Sequence, residues 1–230
     1  MKKIWLIYIS IGILSGQNNI DFRFDTYSDI ELSNQAENII NSTVMWVGHS
    51  SPVWMESNQR LSLKLMTDNS VEQDQLFGWG LPDFSMFIKA SRNFTFSLKM
   101  AGFSLNEDAP QVIGGGLRLD LGDVDNPLWQ FSADHTQING LRDFHLNTTT
   151  LTFFRKLQIR NITSFLGIGV NTYKGRVLNF LEEIEKNING EKNYFTFDIS
   201  MPFLDFQLGT GLSVYPQTNT IHFSLAKGFH

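Results

Sequence analysis

Along most of this chain apolar and polar residues alternate one by one, the period of a strand with one face in an apolar environment. Ten segments carry the pattern, near 60–67, 84–90, 93–101, 112–121, 128–137, 144–154, 157–172, 194–201, 205–214 and 220–229. The clearest apolar rows are Leu61/Leu63/Leu65, Phe94/Phe96/Leu98/Met100, Ile113/Gly115/Leu117/Leu119/Leu121 and Phe195/Phe197/Ile199/Met201. The last segment is the sharpest. Ile221, Phe223, Leu225 and Phe229 alternate with His222, Ser224, Ala226 and Gly228, and only Lys227 interrupts the apolar row, close to an end where a long amine can reach an interface. The sixth segment is rich in Thr (Thr148, Thr149, Thr150, Thr152) and its apolar face is not defined by the pattern.

The connections alternate in length. Residues 68–83, 102–111 and 173–193 form long loops, whereas 91–93, 155–156 and 202–204 are tight turns. Short turns at one end and long loops at the other, with an even number of strands of about 8–11 residues, are the marks of a membrane barrel. A β-sandwich has no reason to keep that alternation. The expected fold is all-β, an antiparallel up-and-down transmembrane β-barrel of about ten strands with a short N-terminal helical or plug segment.

The N-terminal quarter reads differently. Met1-Lys2-Lys3, an apolar run over 4–14 and Ser15-Gly16 have the form of a cleaved secretory signal over 1–16. Residues 17–59 lack the strand period and are expected to form a periplasmic or plug segment, with residues 60–230 as the barrel. Within that segment, 33–47 fits a helix with Ala36, Ile39, Ile40 and Val44 on one side, stopped by Ser51-Pro52. The segment is expected to plug the lumen, to close its periplasmic mouth, or to form a loose leader. A second short helix is drawn over 177–186, where Glu182, Glu183 and Glu185 form a solvated acidic face.

Composition narrows the class. There are no cysteines, so an exported chain of this length is held by packing and sheet closure alone. The net charge of −5, about −7 once Lys2 and Lys3 are removed, argues against a nucleic-acid partner. Aromatics make up 13%, 20 of them Phe, which suits a surface against acyl chains.

If the apolar rows face lipid, the opposite rows face the lumen. Lys64, Lys89, Lys99 and Arg118 come from successive strands, Asp120 and Asp134 from the next wall, and Asp198 and His222 from farther round. An ionised side chain facing the bilayer midplane costs about 2–4 kcal/mol for Lys or Arg, so inward placement is required. A ten-strand wall has a radius of roughly 11 Å. Two outcomes stay open: a closed lumen in which basic and acidic walls pair, or a narrow pore with a transverse field that selects polar solutes.

Catalytic and cofactor signals are weak. Gly114-Gly115-Gly116, Gly167-x-Gly169 and Gly209-x-Gly211 sit inside strand patterns without a following helix, so they lack nucleotide-loop context and instead permit strand bending or make room in the lumen. His135 and Ser164 fall on apolar rows, as a lipid-acting outer-wall enzyme would require, but the sixth strand separates them. No cofactor is expected. His49, His135, His145, His222 and His230 have no metal-ligand spacing.

Taken together, the signal peptide, alternating strands, long and short connections and the Phe229 ending resemble the small outer-membrane β-barrel proteins of Gram-negative bacteria. In that resemblance Ile221, Phe223, Leu225 and Phe229 are the assembly signal read by the barrel assembly machinery, although His230 follows the terminal aromatic. The polar segment ahead of the barrel is loosely similar to that of fatty-acid and hydrophobic-compound transporters. The resemblance implies a cell outer-membrane location, lipid as partner and a narrow or gated path for a small solute. The alternatives are a sealed structural or surface-interaction barrel acting through loops 68–83 and 173–193, with Phe77, Trp79, Leu81 and Phe84 as a contact patch or aromatic girdle, and a soluble lipid-binding β-protein.

Overall fold

A computed structural model describes residues 22–24, 29–53, 55–56, 58–70, 81–104, 108–123, 127–178, 187–216 and 218–230. Ten antiparallel strands close into one barrel: β1 (Leu61–Ser70), β2 (Leu81–Lys89), β3 (Phe94–Gly102), β4 (Gln111–Gly122), β5 (Pro127–Asn139), β6 (Phe144–Ile159), β7 (Ile162–Val177), β8 (Asn187–Phe203), β9 (Phe206–Val214) and β10 (Asn219–Phe229). Each strand pairs with its neighbours in sequence. β10 closes on β1 in a register running from Leu61 opposite Phe229 to Ser70 opposite Thr220. Closure leaves no free sheet edge, which is what allows strands to cross hydrocarbon.

The alternation sorts as its period requires. Every strand places a large exposed apolar side chain outside, from Leu65 on β1 through Phe96, Ile113, Leu166 and Phe195 (68% exposed) to Phe223 on β10. A continuous apolar belt of this kind is far beyond what a soluble monomer exposes. The inner rows hold Lys64, Ser97, Arg118, Thr150, Asp198 and His222, all buried. On β6 the inward face carries Thr148, Thr150 and Thr152 between Phe144, Leu146 and Phe154, while Leu151 and Phe153 are exposed outside.

The strands run farther than the alternation alone indicates. The tight turn expected at 155–156 lies at 160–161, where Ile159 pairs with Ile162 and Arg160 takes a left-handed φ of 56°. Arg155 and Lys156 belong to β6. Arg155 lies outside, with its guanidinium 4.5 Å from the Trp129 ring centroid, and Lys156 turns inward and is buried. The loop drawn at 68–83 shrinks because Asp68 extends β1 and Leu81 opens β2. The loop drawn at 173–193 shrinks because β7 reaches Val177 and β8 begins at Asn187. Val177 therefore ends a strand and does not open a helix, and Leu81 is core and not part of a contact patch. The signal sequence, Phe77, Trp79 and the acidic trio Glu182, Glu183 and Glu185 lie outside the described residues.

Among the described residues one helix precedes the barrel, α1 (Asp29–Val47). Ala36, Ile39, Ile40 and Val44, spaced to share one face, are buried. They pack with Phe22, Phe24 and Trp46 against the inner ends of β2, β4, β5, β6 and β7: Leu81, Val112, Ile138, Phe144, Leu146 and Val177. All these wall residues lie at the long-loop end. The helix thus fills that end of the barrel with an apolar core, and the stacked Phe24–Phe144 rings (5.6 Å) belong to it.

Candidate functional site in the occupied lumen

From α1 the chain descends inside the barrel to the tight-turn end, where Arg60 N–H donates to the Phe229 carbonyl and the chain enters β1. The wall binds this segment at successive depths, from Gly48 to Val53 and again at Glu56. No basic residue stands in the last turn of α1, and the barrel supplies one. The Lys99 ammonium donates to the carbonyls of Trp46 (3.3 Å), Val47 (3.4 Å) and His49 (3.4 Å), where the helix dipole favours a cation. Its counter-charge is Asp83, 3.0 Å away and fully buried. Asn171 donates to Val44 O (3.0 Å) and Thr150 to Gly48 O (2.7 Å). A Cβ on Gly48 would collide with the Asn171 amide, so the close approach needs glycine there.

Below the helix end lies a chain of buried ionisable groups. His49 Nδ1 contacts Asp68 Oδ1 at 2.6 Å, and His222 Nε2 contacts Asp198 Oδ1 at 2.6 Å. The two imidazoles meet edge to face with centroids 4.4 Å apart. The second contact spans a strand. His222 on β10 and Asp198 on β8 both sit opposite Gly211 of β9, and a Cβ there would strike the imidazole. Gly116 works the same way between Ser97 and Asp134, and Gly169 between Thr152 and Tyr194, whose hydroxyls are 2.5 Å apart. The inner-row glycines make room for side chains that reach across a neighbouring strand.

Next, Asp134 accepts from Arg118 (2.7 Å), Ser50 (2.7 Å) and Ser97 (3.2 Å), and Ser50 also contacts Ser132 (2.9 Å). Lys64 donates to Ser51 and to the Pro52 carbonyl. Gln130 grips Val53 as a strand would, accepting its N–H (3.2 Å) and donating to its carbonyl (2.9 Å), while also donating to Asp120 (2.8 Å). Lys89 donates to Glu56 O (3.2 Å) near the tight-turn mouth.

Lys64, Lys89, Lys99, Arg118, Asp120, Asp134, Asp198 and His222 therefore all point into the lumen. They bind one another and the threaded segment. Interior cavities beside the segment measure about 20 Å³ (between Lys64, Arg118 and Asp134) and 30 Å³ (between Pro52, Lys64 and Asp198), each with room for about one water. His49, Asp68 and Asp83 are lumen groups that the alternation does not announce. Asp68 and Asp83 continue the inward rows of β1 and β2 and follow from longer strands. His49 has no periodic signal. His135 is exposed outside, 3.0 Å from Thr149, and β6 separates it from Ser164. Ile221, Phe223, Leu225 and Phe229 lie on β10, with the Lys227 ammonium 5.1 Å from the Phe206 ring and 5.7 Å from the Phe229 ring.

No family model matches the chain, and no curated protein matches it. Solved structures with a similar fold include the outer membrane protein Omp33 of Acinetobacter baumannii (8% identity, TM-score 0.39, covering 76% of this chain and 100% of that one). The KdgM porin in complex with disordered oligogalacturonate is similar at 9% identity and a TM-score of 0.37, covering 74% of this chain and 99% of that one. The translocator domain of the autotransporter NalP from Neisseria meningitidis is similar at 9% identity and a TM-score of 0.42, covering 88% and 99%. At these identities and TM-scores nothing about the present chain rests on the likeness. The fold and lumen themselves define its class: a closed ten-strand β-barrel with an apolar exterior and its own N-terminal segment threaded through the interior.

Proposed function

We propose that the protein is an outer-membrane barrel sealed at rest by its own N-terminal segment, presenting its long-loop end at the cell surface. The observation that carries this reading is the series of wall contacts to the segment, from Asn171 on Val44 to Lys89 on Glu56, with water-sized gaps beside it. The apolar belt supports membrane insertion, and short turns at the end where β1 begins and β10 finishes support a periplasmic orientation for that end.

A gated solute path is the second reading. The charged inner wall favours it, because removal of the segment would open Lys64, Lys99, Arg118, Asp134 and Asp198 to the lumen. Single-channel recording on refolded protein tests both, with heat-modifiable migration as the folding control. The sealed reading expects silence from the full chain and steady ion-selective steps once residues 17–59 are deleted. Frequent openings of the full chain would favour the gated path. Silence of a correctly folded deletion would refute the role of the segment as the seal.

A further inference from the structure

We propose that His49, Asp68 and His222 form a binding site for one divalent metal ion of the zinc and iron class, which staples the threaded segment to the barrel's closing seam. The proposal concerns the donor groups and stands whether the barrel is sealed or gated.

Asp68 and His222 are direct cross-strand partners on β1 and β10, the pair of strands that closes the barrel. His49 arrives from the threaded segment, one residue past Gly48. A coordinating atom from each of the three lies within 4.8 Å of the other two. All are buried: His49 and Asp68 are 6% exposed and His222 is 1% exposed. Two imidazoles and a carboxylate are a donor set that suits zinc, iron and similar ions and leaves coordination positions open.

The second observation is independent of that spacing. His49 Nε2, Asp68 Oδ2 and His222 Nδ1 are buried without a protein hydrogen-bond partner. Native interiors rarely leave such atoms unmatched, and three fall in this one cluster. His222 holds Asp198 on Nε2, which leaves Nδ1 to a ligand, whereas His49 Nδ1 and Asp68 share one 2.6 Å contact that a metal set between them would replace. A carboxylate accepting from one ring nitrogen fixes the tautomer that leaves a lone pair on the other, the form in which histidine ligates metals. Asp198 would act as a positioning residue, reaching His222 across Gly211. Metal held here would bind the segment and both closing strands at one point.

The test is equilibrium zinc binding to untagged, refolded full-length protein by titration calorimetry, repeated with Co²⁺ for its ligand-field absorption. The wild type is expected to bind one Zn²⁺ per chain. H49Q and H222Q should each weaken binding at least ~100-fold, and D198N should weaken it by about 10–100-fold, the range for an outer-shell partner of a ligating histidine. H135Q and H145Q should bind as the wild type does. Co²⁺ should give an absorption band that H49Q abolishes. Should H222Q fail to fold, H49Q and the cobalt band decide, since His49 lies outside the sheet. The proposal is overturned if the folded wild type takes up no zinc at about 100-fold molar excess, or if folded H49Q keeps wild-type affinity. An adventitious surface ion is indicated, and the site refuted, if H135Q or H145Q removes the binding and H49Q does not.

Discussion

Replacing Lys99 by Met removes the cation through which the barrel wall caps the last carbonyls of α1. Its length is kept, so packing changes little, but Asp83 stays behind with a side chain that has no solvent exposure. Breaking a buried pair by removing one partner costs about 3–5 kcal/mol, because the remaining charge is uncompensated. Loss of a cation at the helix C-terminus adds up to about 2 kcal/mol where the site is partly buried. The terms overlap, since one ammonium serves both, and the expected loss for K99M is about 3–5 kcal/mol. Urea unfolding of the protein refolded into lipid vesicles, followed by tryptophan fluorescence, measures it. D83N/K99M removes both charges and should recover part of the loss, with a coupling energy of up to about 3 kcal/mol. The reasoning is refuted if K99M costs less than about 1 kcal/mol, or if the double variant loses the sum of the two single losses. Either result would mean that the ammonium does not bind Asp83 and the helix end together.

Other perturbations probe separate parts of the account. Gly211→Val must displace the His222 imidazole and should cost about 1–3 kcal/mol in urea unfolding, whereas Gly102→Val, with open space around its Cβ, should stay within about 0.5 kcal/mol. Ile40→Ala empties a fully buried position in the helix core and should cost about 2–5 kcal/mol by the same assay. Leu98→Lys puts an ammonium on the outer face midway along β3 and should lower stability in vesicles by about 2–4 kcal/mol. Gln130→Ala breaks the two-point grip on Val53 and should speed amide exchange at Val53 roughly tenfold or more, measured by hydrogen–deuterium exchange.

The barrel was legible because an apolar exterior and polar contents impose one rule on every strand, and a period of two records it. Strand ends were less legible. Arg155-Lys156 looks like a turn until one side chain stacks on Trp129 and the other turns inward. Asp68 and Asp83 were lost for the same reason, at strand ends where an acidic residue reads as loop. The paired glycines showed that room was being made, but not that His222, Asp134 and Tyr194 reach over them. The apolar face of α1 was visible, and its place was not. From Gly48 on, part of the hold on the segment is by wall side chains on its main-chain groups, as with Gln130 on Val53 and Thr150 on Gly48. Main-chain acceptors are the same for every residue type, so such contacts leave no pattern in the threaded sequence.

The central claim is that the segment from Gly48 to Val53 runs through the lumen. The chain has no cysteine, so a single engineered pair reports cleanly. Ser50 and Ser132 hydroxyls are 2.9 Å apart, one on the segment and one on the inner wall of β5. The S50C/S132C variant in native membranes should form a disulfide in nearly every folded molecule, seen as a mobility change that reductant reverses. The S50C/L151C variant, with its second thiol on the outer face of β6, should form none. A folded S50C/S132C barrel whose two introduced thiols stay unlinked under oxidation, and both react with a membrane-impermeant maleimide, would contradict the threaded lumen.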